Sequence, residues 1–304
     1  MKNAVEINKI RKTYGDLVAL EGVSFKVARN TIFGLVGPDG AGKTTLIRIL
    51  CGLIKPDSGN GVILDYDLIK DSNKIKNDIG YLSQRFSLYS DLTVDENIEF
   101  LADIHGVSDF EKRRNELLEF TRLTNFRKFL AGKLSGGMKQ KLALACTLIY
   151  RPKIIFLDEP TTGVDPVSRR EFWIILSNLL KEEITIIIST PYMDEAERFN
   201  KIAFIDNGKV LIVDSPNKVK ASITEFIIEI VCSPVREAYN ILKNKTPFEI
   251  QMFGDRLNVV VDNYEDSVPE IQKLLEDNSV KITDIRKVSP SLENAFIHLI
   301  KESA

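Results

Sequence analysis

Among its 304 residues the chain has one tryptophan, two histidines, three cysteines and four methionines. Cys51, Cys146 and Cys232 lie far apart in apolar surroundings, a spacing that suits neither a zinc site nor a disulfide framework. They read as buried free thiols in a reducing compartment. No apolar run approaches the roughly 20 residues of a membrane helix. The opening "MKNAVEINKI" lacks the apolar segment and cleavage site of a signal peptide. The expectation is a soluble, cytosolic chain that reaches a membrane only through a partner. Nor is there an excess of one charge: 41 Lys and Arg face 43 Asp and Glu. Without a basic field, nucleic acid is not an expected partner.

What is present is an ordinary soluble composition, 44% apolar and 28% charged, long enough for about two domains at roughly 150 residues each. "VSFKV" alternates like a half-buried strand, whereas "TIFGLVG", "KIIFLDEP" and "EITIIIST" run apolar without alternation, as strands of a parallel sheet covered on both faces do. "GKTTLIRILCGL" has helical spacing and stops at Gly52. From about residue 85 to 150 strand signals vanish. Two helices there open on apparent capping boxes, Thr93 with Glu96 and Ser108 with Glu111. "IAFIDNGKVLIV" is a hairpin turning at Asn207-Gly208. The expected fold is therefore an α/β core, residues 1–221, with a helical subdomain inserted at about 85–150. Residues 222–304 follow as a β-α-β-β-α-β unit with a last helix, a small ferredoxin-like α+β domain.

"GPDGAGKT", Gly37 to Thr44, fits G-x-x-x-x-G-K-[ST] between a strand and a helix. Gly37, Gly40 and Gly42 allow the backbone to wrap a phosphate chain, with Pro38, Asp39, Ala41 and Thr45 completing the loop and the helix start. Lys43 supplies a point charge for β- and γ-phosphates and Thr44 a hydroxyl for Mg²⁺. "IIFLDEP" ends a buried strand in two carboxylates at the sheet edge where ligands bind. Asp158 is placed to hold Mg²⁺ and Glu159 to act on the attacking water. "LSGGMKQ" puts Ser135, Gly136 and Gly137 at a helix start, a second anion site in one chain. One nucleotide does not need two such sites from one subunit; the second makes sense if it completes the site of a neighbour.

Together these motifs resemble the nucleotide-binding subunits of ABC transporters over residues 1 to about 220. The wording "GPDGAGKTTLIRILCGL" and the tail "VSPSLENAFIHLIK" are similar to ATPases of type-2 exporters and to the first half of tandem multidrug-efflux ATPases. The resemblance implies a P-loop NTPase core that binds ATP and Mg²⁺. It implies that Tyr14 stacks on adenine, that Gln84 touches Mg²⁺ or water and reports to the helical subdomain, and that Asp165 lies in a loop crossing to an opposite subunit. It also implies an integral membrane permease as partner, at the inner face of the cell membrane. In the family, "STPYMDEAE" would carry a histidine at Pro191 to sense the γ-phosphate. Proline offers neither a side-chain donor nor an N–H, and the two histidines, His105 and His298, read as packing residues elsewhere. The expectation is an ATPase with a weakened site of its own, working as a hetero-pair with a second ATPase subunit. The competing expectation is a regulatory or scaffold subunit that binds nucleotide and hydrolyses little.

Overall fold

The computed structural model describes residues 2–84 and 88–303. The chain divides into two compact units, Met1–Val213 and Asp214–Ala304.

In the first unit, β1 (Asn3–Tyr14) and β2 (Leu17–Ala28) pair antiparallel. β3 (Ile32–Val36) leads into helix α1 (Lys43–Leu50). β4 (Ser58–Ile63) and β5 (Tyr66–Asp67) extend the first pair into a four-stranded sheet of order β2-β1-β4-β5. After α2 (Ser72–Asp78) and β6 (Ile79–Leu82), the helices α3 (Val94–Ile104), α4 (Phe110–Phe120) and α5 (Gly136–Leu148) occupy the stretch that lacks strand patterning. Then come β7 (Ile154–Asp158), α6 (Pro166–Leu179), β8 (Thr185–Thr190), α7 (Met193–Ala196), β9 (Lys201–Asp206) and β10 (Lys209–Asp214).

A six-stranded sheet of order β10-β9-β3-β8-β7-β6 forms the second layer, parallel from β9 to β6. Every residue of β3, β7 and β8 is buried, which explains their unbroken apolar runs. Ile186, Ile187 and Ile188 are fully enclosed, each contributing on the order of 1.5–3 kcal/mol. The crossover connections bring the carboxyl ends of β3, β7 and β8 to one edge, where Val36 is level with Thr190 and Asp158 with Ser189. Asn207 and Gly208 turn the β9–β10 hairpin with φ of 44° and 75°, as an Asn-Gly pair favours.

Helix α1 ends as its sequence suggests, with Gly52 at φ 66° and the Leu53 N–H closing on the Arg48 carbonyl. At α3 the Thr93–Glu96 capping box is present in both directions. The box expected at Ser108 is not formed. The N-cap of α4 is Asp109 in the left-handed region, φ 53°, with no side-chain cap bond. The chain reaches α4 through a sharp turn after Gly106 (φ 61°), and that turn overrides the local S-x-x-E pattern. All three cysteines are free and buried. Burial raises their thiol pKa values, to about 12 for Cys146, so they are protonated and inert.

In the second unit, α8 (Pro216–Lys220) precedes β11 (Phe226–Ser233), α9 (Val235–Lys245), β12 (Glu249–Phe253), β13 (Arg256–Val261), α10 (Tyr264–Asp277), β14 (Lys281–Val288) and α11 (Leu292–Ser303). The sheet is antiparallel with order β12-β13-β11-β14. Alternate residues Ile228, Ile230, Leu257 and Val259 face a core shared with Leu242, Ile271 and Leu275 of α9 and α10. Toward β12, α11 makes polar contacts: the Asn294 amide donates to the Gln251 side chain at 2.7 Å, and His298 lies 3.1 Å from Glu249. By compactness α8 groups with this unit, which runs from Asp214.

Candidate nucleotide site

The loop between β3 and α1 owes its path to glycines. A Cβ on Gly37 would lie 2.0 Å from the Ile205 carbonyl oxygen, and one on Gly42 (φ 100°) 2.4 Å from that of Ala19. Only glycine fits either place. Gly42 caps α1 without a side-chain bond, and the first turn holds no acidic residue. The helix therefore presents free N–H groups and partial positive charge to an anion.

Lys43, the first residue of α1, is almost wholly buried. Its ammonium donates to the carbonyls of Gly37 and Pro38, both at 2.8 Å, and pairs with Glu159 Oε1 at 3.2 Å. Glu159 Oε2 accepts from Gln84 Nε2 at 3.0 Å. The Glu159 backbone sits at φ 48°, a conformation costing a non-glycine residue about 1–3 kcal/mol and typical of functional sites. Its N–H donates to the Ser189 hydroxyl at 2.9 Å, which fixes the bend. Asp158, the last residue of β7, is 1% exposed. One carboxylate oxygen accepts from Thr44 at 3.0 Å and from Ser189 at 2.7 Å.

A cleft of about 480 Å³ brings together Tyr14, Asp39, Gly40, Gly42, Lys43, Thr44, Thr45, Gln84 and Glu159. Leu17, Val18, Ala19 and Asn207 also line it and were not picked out from the sequence. Tyr14, Leu17 and Val18 are exposed apolar surfaces, a wall suited to a flat base. Tyr14 is the residue the resemblance points to; Leu17, Val18 and Ala19 beside it carry no motif, and only their place in the cleft with Gly42 identifies them. Tyr14 is held from behind. Asp57 accepts from Lys12 at 2.7 Å, from the Thr13 hydroxyl at 2.7 Å and from the Thr13 N–H at 2.6 Å. Those bonds, Lys12 first, bring the Asp57 pKa down to about 2.

Gly37, Pro38, Ala41 and Asp158 stand behind the cleft wall. Gly37 and Pro38 act through their carbonyls on Lys43, and Asp158 acts through Thr44. Ser135, Gly136 and Gly137 lie outside the cleft, at the start of α5. There Ser135 caps the helix by accepting from the Met138 N–H at 3.3 Å. A Cβ on Gly137 would come within 2.3 Å of Ser168, so this helix start is pressed onto the start of α6. Asp165 is the N-cap of α6, accepting from Val167 and Ser168. Pro191 follows Thr190, whose carbonyl accepts from the Gly37 N–H at 3.3 Å. Pro191 is thus anchored through Thr190 to the loop after β3, and it has no side-chain donor. His105 is exposed and stacks on Tyr150, rings 3.8 Å apart, instead of packing inside.

Among the described residues no group of three or more His, Cys, Asp or Glu is disposed to hold a metal. The oxygen donors present, the Thr44 hydroxyl, the Asp158 carboxylate and the Gln84 amide, suit Mg²⁺. That ion keeps several waters and binds with substrate phosphates rather than in an all-protein cage.

Residues 20–162 match the model of the ABC transporter family. The doxorubicin resistance ATP-binding protein DrrA of Mycobacterium tuberculosis is 32% identical over 306 residues, 97% of this chain and 92% of that protein. The chain is an ABC transporter ATPase by family. Another relative is a probable multidrug ABC transporter ATP-binding protein, YbhF of Escherichia coli, 39% identical over 224 residues. That match covers 72% of this chain, which spans only 38% of the E. coli protein's length. Among solved structures, an ATP-binding cassette dimer in a post-hydrolysis state with ADP and phosphate is 28% identical with a TM-score of 0.64. It covers 69% of this chain and 98% of its own.

Proposed function

We propose that the chain binds and hydrolyses ATP to power a membrane exporter, with its own site weakened by Pro191. The observation that carries this reading is the contact set Lys43–Glu159–Gln84 beside Thr44–Asp158. Lys43 serves as charge partner of the β- and γ-phosphates. Thr44, Asp158 and Gln84 serve the Mg²⁺ ion, which neutralises charge on the phosphates when bound. Glu159 orients or deprotonates the attacking water, and Tyr14 stacks on the base. Losing one preorganised donor to the reacting group costs about 10²–10³ in rate, which is the effect assigned to Pro191.

A head-to-tail pair would let Ser135–Gly137 complete a partner's site, and a partner that keeps its histidine would supply the faster one. The hetero-pair is favoured over a homodimer for that reason. The permease contact is assigned to a cavity of about 250 Å³ lined by Leu53, Tyr81, Leu88, Leu101, His105 and Tyr150. No helix among the described residues is long and apolar enough to cross a membrane; the family membership supports attachment to the inner face of the membrane through that permease. The names of DrrA and YbhF support drug export as the class of work. The strand order of residues 226–288 supports a ferredoxin-like accessory domain.

Glu159→Gln tests the site: ATP binding within a few-fold of the parent with turnover lost is expected. Undiminished turnover would remove Glu159 from its role. The alternative, a nucleotide-binding regulatory subunit, is favoured by Pro191 alone. It predicts that ATP binds but no single-turnover hydrolysis occurs, even with excess protein.

A further inference from the structure

The segment after Pro191 contains a buried carboxylate that the nucleotide chemistry leaves unused. Glu195, on α7, is 1% exposed. One oxygen accepts from the Thr161 hydroxyl at 2.6 Å and from Arg169 Nε at 2.7 Å; the other accepts from the Thr190 hydroxyl at 2.7 Å. Arg169 also clasps Asp194 with bonds of 2.8 and 2.9 Å and lies 4.9 Å above the Tyr192 ring. The Tyr192 N–H donates to the Thr190 hydroxyl at 3.1 Å.

Each partner comes from a different segment of the site. Thr161 is two residues past Glu159 and is itself 3% exposed. Thr190 immediately precedes Pro191, and its carbonyl holds Gly37. Arg169 is on α6, whose N-cap is Asp165. An ionised carboxylate is buried at this depth only when donors and a cation satisfy it, and here all three segments contribute. Its geometry is therefore set by three segments at once, and moving one displaces the others.

We propose that Glu195, with Arg169, is a positioning residue for hydrolysis: it locks the loop bearing Pro191 to the loop bearing Glu159. Where proline has removed direct contact with the γ-phosphate, this carboxylate keeps the two loops in register from behind. Neither residue lines the nucleotide cleft, so the effect falls on the rate and not on ATP affinity. The inference rests on Glu159 carrying hydrolysis.

The test compares the full-length chain with Thr161→Val and Glu195→Gln. It reads ATP dissociation constant, single-turnover rate with protein in excess, and amide exchange in peptides covering residues 159–165 and 189–196. Thr161→Val removes one hydroxyl at nearly constant volume, and Glu195→Gln keeps the shape while discharging the group. In both variants the expected result is a rate loss of roughly ten-fold or more, an ATP dissociation constant within about three-fold, and faster exchange in both peptides together. Unchanged rate, or faster exchange in 189–196 alone, overturns the proposal. Glu159→Gln measured alongside separates the two readings. Coupled exchange with full turnover in Glu159→Gln overturns the catalytic assignment and keeps the coupling; uncoupled exchange with turnover lost in Glu159→Gln does the reverse.

Discussion

At the scale of single residues, the site depends on side chains whose chemistry has no substitute. Lys43 is surrounded by two carbonyls and one carboxylate. Removing its charge in Lys43→Ala leaves the Gly37 and Pro38 carbonyls and the Glu159 carboxylate without their cation. ATP affinity should fall by at least ten-fold in equilibrium binding, with the fold retained by circular dichroism. Asp57 works at one remove. Its carboxyl holds Lys12 and Thr13, and so the chain that presents Tyr14, with a pKa brought from 3.8 to about 2. A depressed carboxyl contributes fully above the unfolded pKa and is lost as pH falls through the folded one. The hold is thus complete above about pH 4 and released toward pH 2. At neutral pH, Asp57→Ala should weaken ATP binding by about two- to five-fold and leave the single-turnover rate unchanged. The phosphate loop, Asp158 and Glu159 are legible in sequence because their chemistry lies in consecutive residues. Asp57 and Glu195 are not, because Asp57 holds Thr13 across 44 positions and Glu195 holds Thr161 across 34, and nothing near a lone acid announces a distant threonine.

Helices and strands show where sequence patterns hold and where they give way. The Thr93 box forms, and Thr93→Ala should lower stability by about 1 kcal/mol, read as a lower Tm. The matching pattern at Ser108 is idle, and Ser108→Ala should leave the Tm unchanged. β3, β7 and β8 are readable because burial on both faces writes one continuous apolar run. β1 and β4 are not, since register shifts between Ile7 and Ile10 and again between Asn8 and Arg11 break the two-residue alternation. The start of α10 is hard to read locally: Pro269 would suit the first turn of a helix, yet the helix begins at Tyr264, capped by Asn263 accepting from Glu265 and Asp266. In the β1–β2 turn the resemblance reaches Tyr14, while Leu17, Val18 and Ala19 become visible as cleft wall only in the structure.

For the whole molecule, each compact unit has its own core, and the candidate nucleotide residues all fall before residue 214. A chain lacking residues 214–304 should bind ATP within a few-fold of the parent. Pull-down of the full chain from membranes should recover an integral membrane protein. If a second ATPase subunit supplies the intact switch, mixing it with this chain should raise turnover, and Ser135→Ala here should remove the gain while leaving ATP binding to Lys43 intact. The central claim, a working but weakened site, is tested most directly by the ATPase rate of the full chain beside Pro191→His. The parent should turn over far below the median enzyme rate of roughly 10 s⁻¹. Restoring histidine should speed it by about 10²–10³, with Glu159→Gln abolishing both rates. Ordinary turnover by the parent, unchanged or slowed in Pro191→His, would contradict it.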